Sequence, residues 1–321
     1  MASTTKVVTA ITAIENCKNL DEVITINNNA VGVEGTSIYL RKGEHISVRD
    51  LLYGLMLRSG NDSATALAYH IAGGVSQFAD LMNALAKKVG ANNSHFANPH
   101  GLDNPNHYTT AYDLALISCY ALNNPIFKEI VSTKSHVIPA TNMSDKRYLA
   151  NKNRLLSSLE GCCGVKTGFT SKAGRCLVSA CEREQQTTVC VVLNCGPMFE
   201  ESADLLDASF VDYEYTKLID KNKQIYNEYV TDSANGRLYL YAEDDFYYPL
   251  LPGEKDRVKL NYNVKLDDAK QGSVVWKIDI LLDNQLLNSV KLYTINKIDK
   301  FLDNQTLQIK EILWEEKINE N

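Results

Sequence analysis

The stretch "MASTTKVVTA" (residues 1–10) opens the chain with a serine, Ser3, three positions before a lysine, Lys6. The apolar residues that follow recur at helical spacing to about residue 15, which predicts a buried helix beginning at Ser3. Side chains three positions apart lie on one face of a helix, so the Lys6 amine can reach the Ser3 hydroxyl. A serine hydroxyl is a weak nucleophile unless a base lies within hydrogen-bond distance. This spacing therefore indicates an activated nucleophile.

Two further motifs follow in the chain. Ser59-Gly60-Asn61 interrupts a helical region that begins at Val48, and Lys166-Thr167-Gly168 falls on a predicted strand. Each motif alone is common, and a single serine at a helix start is more often an N-cap than a nucleophile. Their order and structural context, however, are those of the active-site serine acyl transferases.

The remaining pattern predicts an α/β fold with a second, smaller domain. Three β-rich runs between residues 160 and 196, separated by turn signals, predict an antiparallel sheet with helices on both sides in the sequence. A helix over residues 200–219 is expected to complete a catalytic domain, residues 1–220. Alternating residues and a turn at Asp283-Asn284 predict a β-rich domain over residues 221–295. Residues 296–321 are expected to form an amphipathic helix that could contact a membrane surface.

Composition excludes several classes of protein. A net charge of -6 and the lack of a lysine or arginine run argue against nucleic-acid binding. No apolar stretch reaches the roughly 18 residues of a membrane span, and no signal peptide is recognisable in the chain. The eight cysteines are irregularly spaced, and we expect most of them to be reduced core residues.

A metal centre is not predicted either. His95, His100 and His107 lack the compact spacing of a zinc site such as His-Glu-x-x-His. They are expected to belong to a structured loop in which His100 is satisfied by hydrogen bonds. We therefore expect neither a metal nor an organic cofactor.

Four longer stretches carry a family resemblance: "ASTTKVVTA" (2–10), "LMLRSGNDSATALA" (55–68), "HFANPHGLDNPNHYTTAYDLA" (95–115) and "GVKTGFTSKAGRCLVSA" (164–180). In these stretches the chain resembles the D-alanyl-D-alanine carboxypeptidases, which are low-molecular-mass penicillin-binding proteins. The resemblance covers most of residues 2–220 and, more loosely, the β-rich domain. It implies the serine β-lactamase/D,D-peptidase-like fold, an antiparallel sheet flanked by helices, followed by a small β-rich domain.

The resemblance also implies roles for the motif residues. Ser3 would form an acyl-enzyme, with Lys6 as its base, and Ser59 would relay a proton to the leaving amine. Asn61 would hydrogen-bond the substrate backbone. Lys6 can be a base only if its pKa is depressed, by burial or by a nearby positive charge such as that of Lys166.

The implied substrate has a free carboxylate end. Lys166 would attract this anion, and the Thr167 hydroxyl would bind it. The backbone N–H groups of Ser3 and of Phe169, which follows Gly168, would form the oxyanion hole. The segment "NKNRLL" offers Lys152 and Arg154 as a further cation; the resemblance favours Lys152, whereas arginine is the better bidentate partner.

The predicted activity is therefore release of the terminal D-alanine from peptidoglycan stem peptides ending in D-Ala-D-Ala, with β-lactams as inhibitors. The family acts outside the cytoplasm on the membrane face, and we expect the same of the full-length parent. An inactive relic or binding module is the alternative from another class. A β-lactamase would need a second base, and Glu129 and Glu160 lack the expected surroundings.

The start of the chain departs from the family pattern. The resemblance implies a leader peptide and two strands before the serine-bearing helix, which is normally entered from a proline where Met1 stands. We therefore expect an N-terminally truncated chain that is poorly active or unstable, because Ser3 would lie on a fraying terminus.

Overall fold

The computed structural model describes residues 1–184, 186–229, 237–263, 276–294 and 312–313. The chain divides into two compact units, Met1–Ser209 and Phe210–Asn321. This division lies earlier in the chain than residue 220, where the sequence pattern placed the domain boundary. Within the described residues, no helix combines the length and the apolar character needed to cross a membrane.

Within the residues that the structure describes, the α-helices begin in the first unit. They are α1 (Lys6–Asn16), α2 (Val48–Leu57), α3 (Asn61–Ala72), α4 (Val75–Lys88), α5 (Ala111–Leu122), α6 (Pro125–Ser132), α7 (Leu155–Ser158) and α8 (Met198–Asp212), the last of which continues past Ser209. Helix α1 lies at the centre: its residues from Lys6 to Ile14 are all buried, and its apolar side chains belong to the main hydrophobic core.

Helix α1 is preceded by a 3₁₀ turn, Ala2–Thr5, whose N-cap position is held by Met1. Ser3 therefore lies inside the first turn and is not a capping residue. By contrast, Thr110 caps α5, since its side chain accepts a hydrogen bond from the Asp113 N–H.

The sheet predicted between residues 160 and 196 is present. Strands β5 (Cys162–Thr170), β6 (Gly174–Arg183) and β7 (Gln186–Val192) form a three-stranded antiparallel sheet in that order. Two small antiparallel pairs complete the unit: β1 (Val23–Thr25) with β2 (His45–Ser47), and β3 (Ser135–Ile138) with β4 (Arg147–Ala150). The mixed helix and sheet architecture is thus confirmed.

The second unit is β-rich, as predicted. Strand β8 (Glu214–Ile219) pairs with β11 (Phe246–Leu250). A larger sheet has the order β15-β12-β13-β14-β10-β9, with β9 Tyr226–Tyr229, β10 Arg237–Ala242, β12 Val258–Asn263, β13 Trp276–Leu282, β14 Gln285–Thr294 and β15 Ile312–Leu313. Asp283 and Asn284, both with positive φ, form the predicted turn between β13 and β14.

Two helix predictions are wrong in part. The helix over residues 200–219 ends at Asp212, and Glu214–Ile219 is a strand instead, because Leu218 and Ile219 are buried in the core of the second unit. The amphipathic helix over residues 296–321 falls outside the described residues except for Ile312–Leu313. These two residues form strand β15, paired antiparallel with β12, and are not helical.

Candidate active site

The first turn brings Ser3 and Lys6 into contact, as their spacing predicts. Lys6 Nζ lies 2.9 Å from Ser3 Oγ. It also lies 2.7 Å from Oδ1 of Asn61, the first residue of α3, and 2.6 Å from the backbone oxygen of His100. The amine is fully buried, with 0% of the residue exposed. Three chain segments therefore converge on this amine.

Counting hydrogen bonds shows what a neutral Lys6 can do. The Asn61 amide oxygen and the His100 carbonyl oxygen are acceptors only, so each takes one N–H of the amine. A neutral amine has two N–H donors and one lone pair. The lone pair is then left for the third neighbour, the Ser3 hydroxyl, which can donate. In its neutral form Lys6 is thus oriented as a proton acceptor for Ser3.

The surroundings also favour the neutral form. The pKa of Lys6 lies well below its usual value of 10.5, chiefly because burial disfavours the charged form and then because of the positive charges of Lys166 and Lys152. The carboxylate of Asp62 opposes this shift. The expectation that a positive charge lowers the pKa of Lys6 is met, although burial has the larger effect.

Lys166 is the second buried amine of the site. It lies on β5, is 1% exposed, and donates to the backbone oxygen of Thr167 over 2.8 Å. Burial, followed by the charge of Lys152, lowers its pKa to about 7. Lys166 therefore changes its charge near neutral pH, and its electrostatic effect on Lys6 and on an anionic ligand changes with it.

The free energy of unfolding should report this titration. The pKa of Lys166 rises from about 7 to 10.5 on unfolding, so between these pH values the unfolded state binds more protons than the folded state. The free energy of unfolding therefore increases as the pH rises through this range and decreases as the pH falls towards 7. Methionine cannot be charged, so the free energy of unfolding of Lys166→Met should lack this dependence on pH. The free energy of unfolding of Lys166→Met minus that of the parent should be about 1–3 kcal/mol larger at pH 6 than at pH 9. Urea unfolding of both proteins at several pH values measures this difference.

The control for that prediction is Lys87→Met, at an exposed position in α4. Its effect on stability should not vary with pH. A stability difference between Lys166→Met and the parent that is constant from pH 6 to pH 9 would contradict the assigned pKa.

The Ser59-Gly60-Asn61 motif forms a strained link between α2 and α3. Ser59 has a φ of 65°, a conformation that costs a non-glycine residue about 1–3 kcal/mol. A Cβ on Gly60 would lie 2.8 Å from side-chain oxygens of both Asp62 and Ser63, so this position needs glycine. The backbone N–H of Asn61 donates to the Thr36 oxygen over 2.6 Å. These constraints hold Ser59 at the cleft and Asn61 against Lys6.

The loop that contains the histidines braces the turn around Ser3. His107 Nδ1 accepts from the Ala97 N–H, which leaves Nε2 to donate to Thr5 Oγ1 over 2.8 Å, and Thr5 donates to the Ala2 oxygen. His100 Nδ1 accepts from the Leu102 N–H. Burial lowers the pKa of both imidazoles to about 4, so both are neutral at pH 7. The prediction of a hydrogen-bonded loop is confirmed.

A cleft of about 420 Å³ opens beside Ser3. Its lining residues are Ser3, Thr36, Ser59, Lys152, Thr167, Gly168, Phe169, Arg175, Met198 and Phe199. Gly168 lets β5 approach the 3₁₀ turn, since a Cβ there would lie 3.0 Å from the Thr4 nitrogen and 3.1 Å from the Ser3 nitrogen. Six of the nine predicted site residues thus line one cleft, and Lys6, Asn61 and Lys166 are buried.

Known proteins are similar to this chain in sequence and in fold. Residues 1–196 match the family model described as D-alanyl-D-alanine carboxypeptidase. The chain belongs to the D-alanyl-D-alanine carboxypeptidase family. Residues 213–300 match a second model, the C-terminal domain of penicillin-binding protein 5. The resemblance drawn from the four sequence stretches is therefore confirmed, and so is the β-rich domain.

Individual members of the family show the extent of the similarity. The chain is 32% identical to D-alanyl-D-alanine carboxypeptidase DacF of Bacillus subtilis over 70% of this chain and 59% of that protein. It is 30% identical to DacA of Haemophilus influenzae over 86% of this chain and 72% of that protein. The chain thus spans less than two thirds of the length of DacF.

Solved structures of the family agree with the fold. Penicillin binding protein 5 from Haemophilus influenzae superposes with a TM-score of 0.73 at 28% identity, over 92% of this chain and 89% of that one. The Streptomyces K15 DD-transpeptidase gives a TM-score of 0.60 at 34% identity, over 64% of this chain and 86% of that one. The carboxypeptidase family fold is thus present in both units.

The cleft also contains residues that sequence reasoning missed. Arg175, Met198 and Phe199 line it. Arg175 lies within the stretch 164–180 that carries the resemblance but was given no role, and Met198 and Phe199 lie outside the four stretches. Arg175 is directly opposite Phe169 in the β5–β6 register. Among the two cations considered in "NKNRLL", Lys152 lines the cleft, whereas the Arg154 guanidinium lies over the Phe199 ring, 4.5 Å from its centroid.

The cysteine prediction is only partly met. All eight cysteines are free. Only Cys163, Cys176 and Cys181 are buried, so the expectation that most lie in the core is wrong. Cys119 is exposed, and Cys17, Cys162, Cys190 and Cys195 are partly exposed.

Proposed function

We propose that this chain is a serine-type D-alanyl-D-alanine carboxypeptidase that removes the terminal D-alanine from peptidoglycan stem peptides through a penicillin-sensitive acyl-enzyme. The observation that carries the proposal is the contact between Lys6 Nζ and Ser3 Oγ, in which the other two neighbours of the amine can only accept. Family membership of residues 1–196 supports the same chemistry.

The proposed reaction has two steps. Ser3 Oγ attacks the carbonyl carbon between the two D-alanines while its proton passes to Lys6 Nζ. The oxyanion is stabilised by the backbone N–H groups of Ser3 and Phe169. When the peptide bond breaks, the leaving amine takes a proton through Ser59, and D-alanine departs. Water then hydrolyses the Ser3 ester and regenerates the hydroxyl.

The carboxylate end of the substrate is expected to lie near the cations of the cleft. Thr167 and Lys166 on β5 are the family residues for this role, and Asn61 is expected to bind the peptide backbone. Lys152 and Arg175 add exposed positive charge on the lining, and neither has an ion-pair partner within the described residues. A guanidinium suits the planar carboxylate better than an ammonium does.

We therefore expect Arg175→Ala to slow acylation by an anionic penicillin about tenfold, which corresponds to one charge-assisted contact of about 1.4 kcal/mol. Acylation by the methyl ester of the same penicillin, which lacks the carboxylate, should change much less. Lys172→Ala, at an exposed position in the β5–β6 turn outside the cleft lining, is the matched control. Equal slowing of the acid and of the ester by Arg175→Ala would contradict the assignment.

The two alternative functions differ in the fate of the acyl-enzyme. A β-lactamase would hydrolyse it within seconds, and a non-catalytic penicillin-binding module would not release D-alanine. No aspartate or glutamate of the described chain lines the cleft, and Glu129 instead accepts a hydrogen bond from Tyr53. This arrangement disfavours the β-lactamase, because the second base that such an enzyme would need for water is absent from that lining.

The proposed function is tested with a stem-type peptide ending in D-Ala-D-Ala and a matched peptide ending in L-Ala-L-Ala. We expect D-alanine release from the first, no release from the second, and no release after incubation with penicillin. A stable penicillin adduct without D-alanine release would support the binding module, and rapid loss of the adduct would support a β-lactamase.

The location of the protein is also part of the proposal. Stem peptides lie outside the cytoplasm, so a carboxypeptidase acting on them works there, at the outer face of the membrane. Contact of residues 296–321 with a membrane surface stays a prediction, as does the lack of nucleic-acid binding. Vesicle sedimentation with and without these residues measures the first of these.

A further inference from the structure

Cys17, Glu22 and His70 bring three metal-ligating groups together outside the cleft. Cys17 Sγ lies 3.4 Å from Glu22 Oε1, and His70 Nε2 lies 3.0 Å from the same oxygen. The three ligand atoms all lie within 4.8 Å of one another. With zinc bonds of about 2.0–2.3 Å, two ligands of a tetrahedral ion are roughly 3.3–3.7 Å apart. Two of the three separations are therefore close to those of a zinc ligand set, and the third is no more than 4.8 Å.

Two helix ends favour a cation at this position. Cys17 is the C-cap of α1, and His70 lies in the last turn of α3. The C-terminal end of a helix carries a partial negative charge from its unpaired carbonyl groups. The nearby Asp21 is engaged by Arg49, whose Nε lies 2.6 Å from its carboxylate, which leaves Glu22 as the carboxylate ligand.

The cluster is also accessible. Glu22 and His70 line a cavity of about 320 Å³ between β1 and α3, together with Tyr69, Thr25 and Asn27. His70 is itself exposed. A metal ion can enter from this side, and water can take a fourth position, as in zinc sites with three protein ligands.

We propose that Cys17, Glu22 and His70 bind one Zn²⁺ ion, with water as the fourth ligand. The ion would join the C-terminal ends of α1 and α3. Both helices begin at the buried contact beside the cleft, α1 with Lys6 and α3 with Asn61. Because the site exists only in the folded chain, zinc binding stabilises the protein by mass action and does not depend on the acylation chemistry.

The test uses the full chain, treated with a chelator and kept reduced without added thiols. Titration with Zn²⁺ should show one equivalent bound and a higher Tm, and Co²⁺ should give a thiolate-to-cobalt charge-transfer band in the near ultraviolet. Cys17→Ser should lose the band and weaken Zn²⁺ binding at least about tenfold, and Glu22→Gln and His70→Ala should weaken it to a similar extent. Cys119→Ser, which alters an exposed thiol on α5, should leave the band and the affinity unchanged.

Several results would overturn the proposal. They are the lack of a charge-transfer band with Co²⁺, a band that survives in Cys17→Ser, and a band that is lost instead in Cys162→Ser. Circular dichroism of each variant shows whether it folds. If Cys17→Ser does not fold, Glu22→Gln serves in its place, and unchanged Zn²⁺ affinity in that variant would count against the site.

Discussion

Replacing Ser3 with alanine is expected to abolish covalent labelling by fluorescent penicillin and to lower D-alanine release at least about 10⁴-fold. The hydroxyl is the proposed nucleophile, and its removal leaves Lys6 with no acyl acceptor 2.9 Å away. Since the lost group is small and lies at the cleft, the fold should persist. Mass spectrometry of the parent should place the penicillin adduct on the peptide that contains Ser3.

Two further variants sharpen this prediction. Ser157→Ala alters an exposed serine and should label like the parent. Ser59→Ala should still be labelled, although more slowly, because Ser59 is proposed to move a proton and not to bond to the substrate. Labelling that survives in Ser3→Ala but disappears in Ser59→Ala would identify a different nucleophile.

Replacing Lys6 with methionine is expected to slow acylation by penicillin about 10²–10⁴-fold, the range that general base catalysis contributes. Methionine fills a similar volume without a lone pair for the Ser3 proton. Stopped-flow measurement of the acylation rate, normalised to folded protein, gives the effect. The oxygens of Asn61 and His100 each lose a donor, which costs about 1–3 kcal/mol per group, so the folded fraction is measured in parallel.

An arginine variant distinguishes a base at position 6 from a cation. Arginine places a permanent positive charge at position 6, because it does not lose its proton in proteins. Lys6→Arg should therefore be as slow as Lys6→Met, whereas Lys87→Met, at an exposed position, should react at the parent rate. Near-normal acylation by Lys6→Arg would show that position 6 supplies charge and not a base.

Sequence patterns were sufficient to predict those parts of the site whose residues lie close together in the chain. The spacing of Ser3 and Lys6 within one turn, and the turn signals around the strand that carries Lys166, both follow from helix and strand periodicity. Arg175 could also have been found, because pairing the predicted strands across their short turn places it opposite Phe169. The sequence analysis predicted the strands but did not pair them residue by residue, and this pairing was the missing step.

Other features depend on contacts that a local pattern does not contain. The His100 carbonyl that accepts from Lys6 is 94 positions away in the chain. Residues Glu214–Ile219 continue an apolar spacing that suits a helix, yet they pair with Phe246–Leu250, because the second core buries Leu218 and Ile219. The contact with His100 and the strand at Glu214–Ile219 both depend on tertiary packing, which the local sequence does not specify.

Gly101 shows how a residue without a chemical role can be as constrained as Ser3, the proposed nucleophile. Its φ is 85°, and a Cβ there would lie 2.0 Å from the Ala2 oxygen, one residue before Ser3. Every other amino acid would have to push this loop away from the turn that contains Ser3. In a saturation screen for antibiotic binding, we would expect position 101 to tolerate substitution no better than position 3. A survey that ranks positions only by how well they tolerate substitution would then assign Gly101 a role in the reaction, although the position only requires a residue without a side chain.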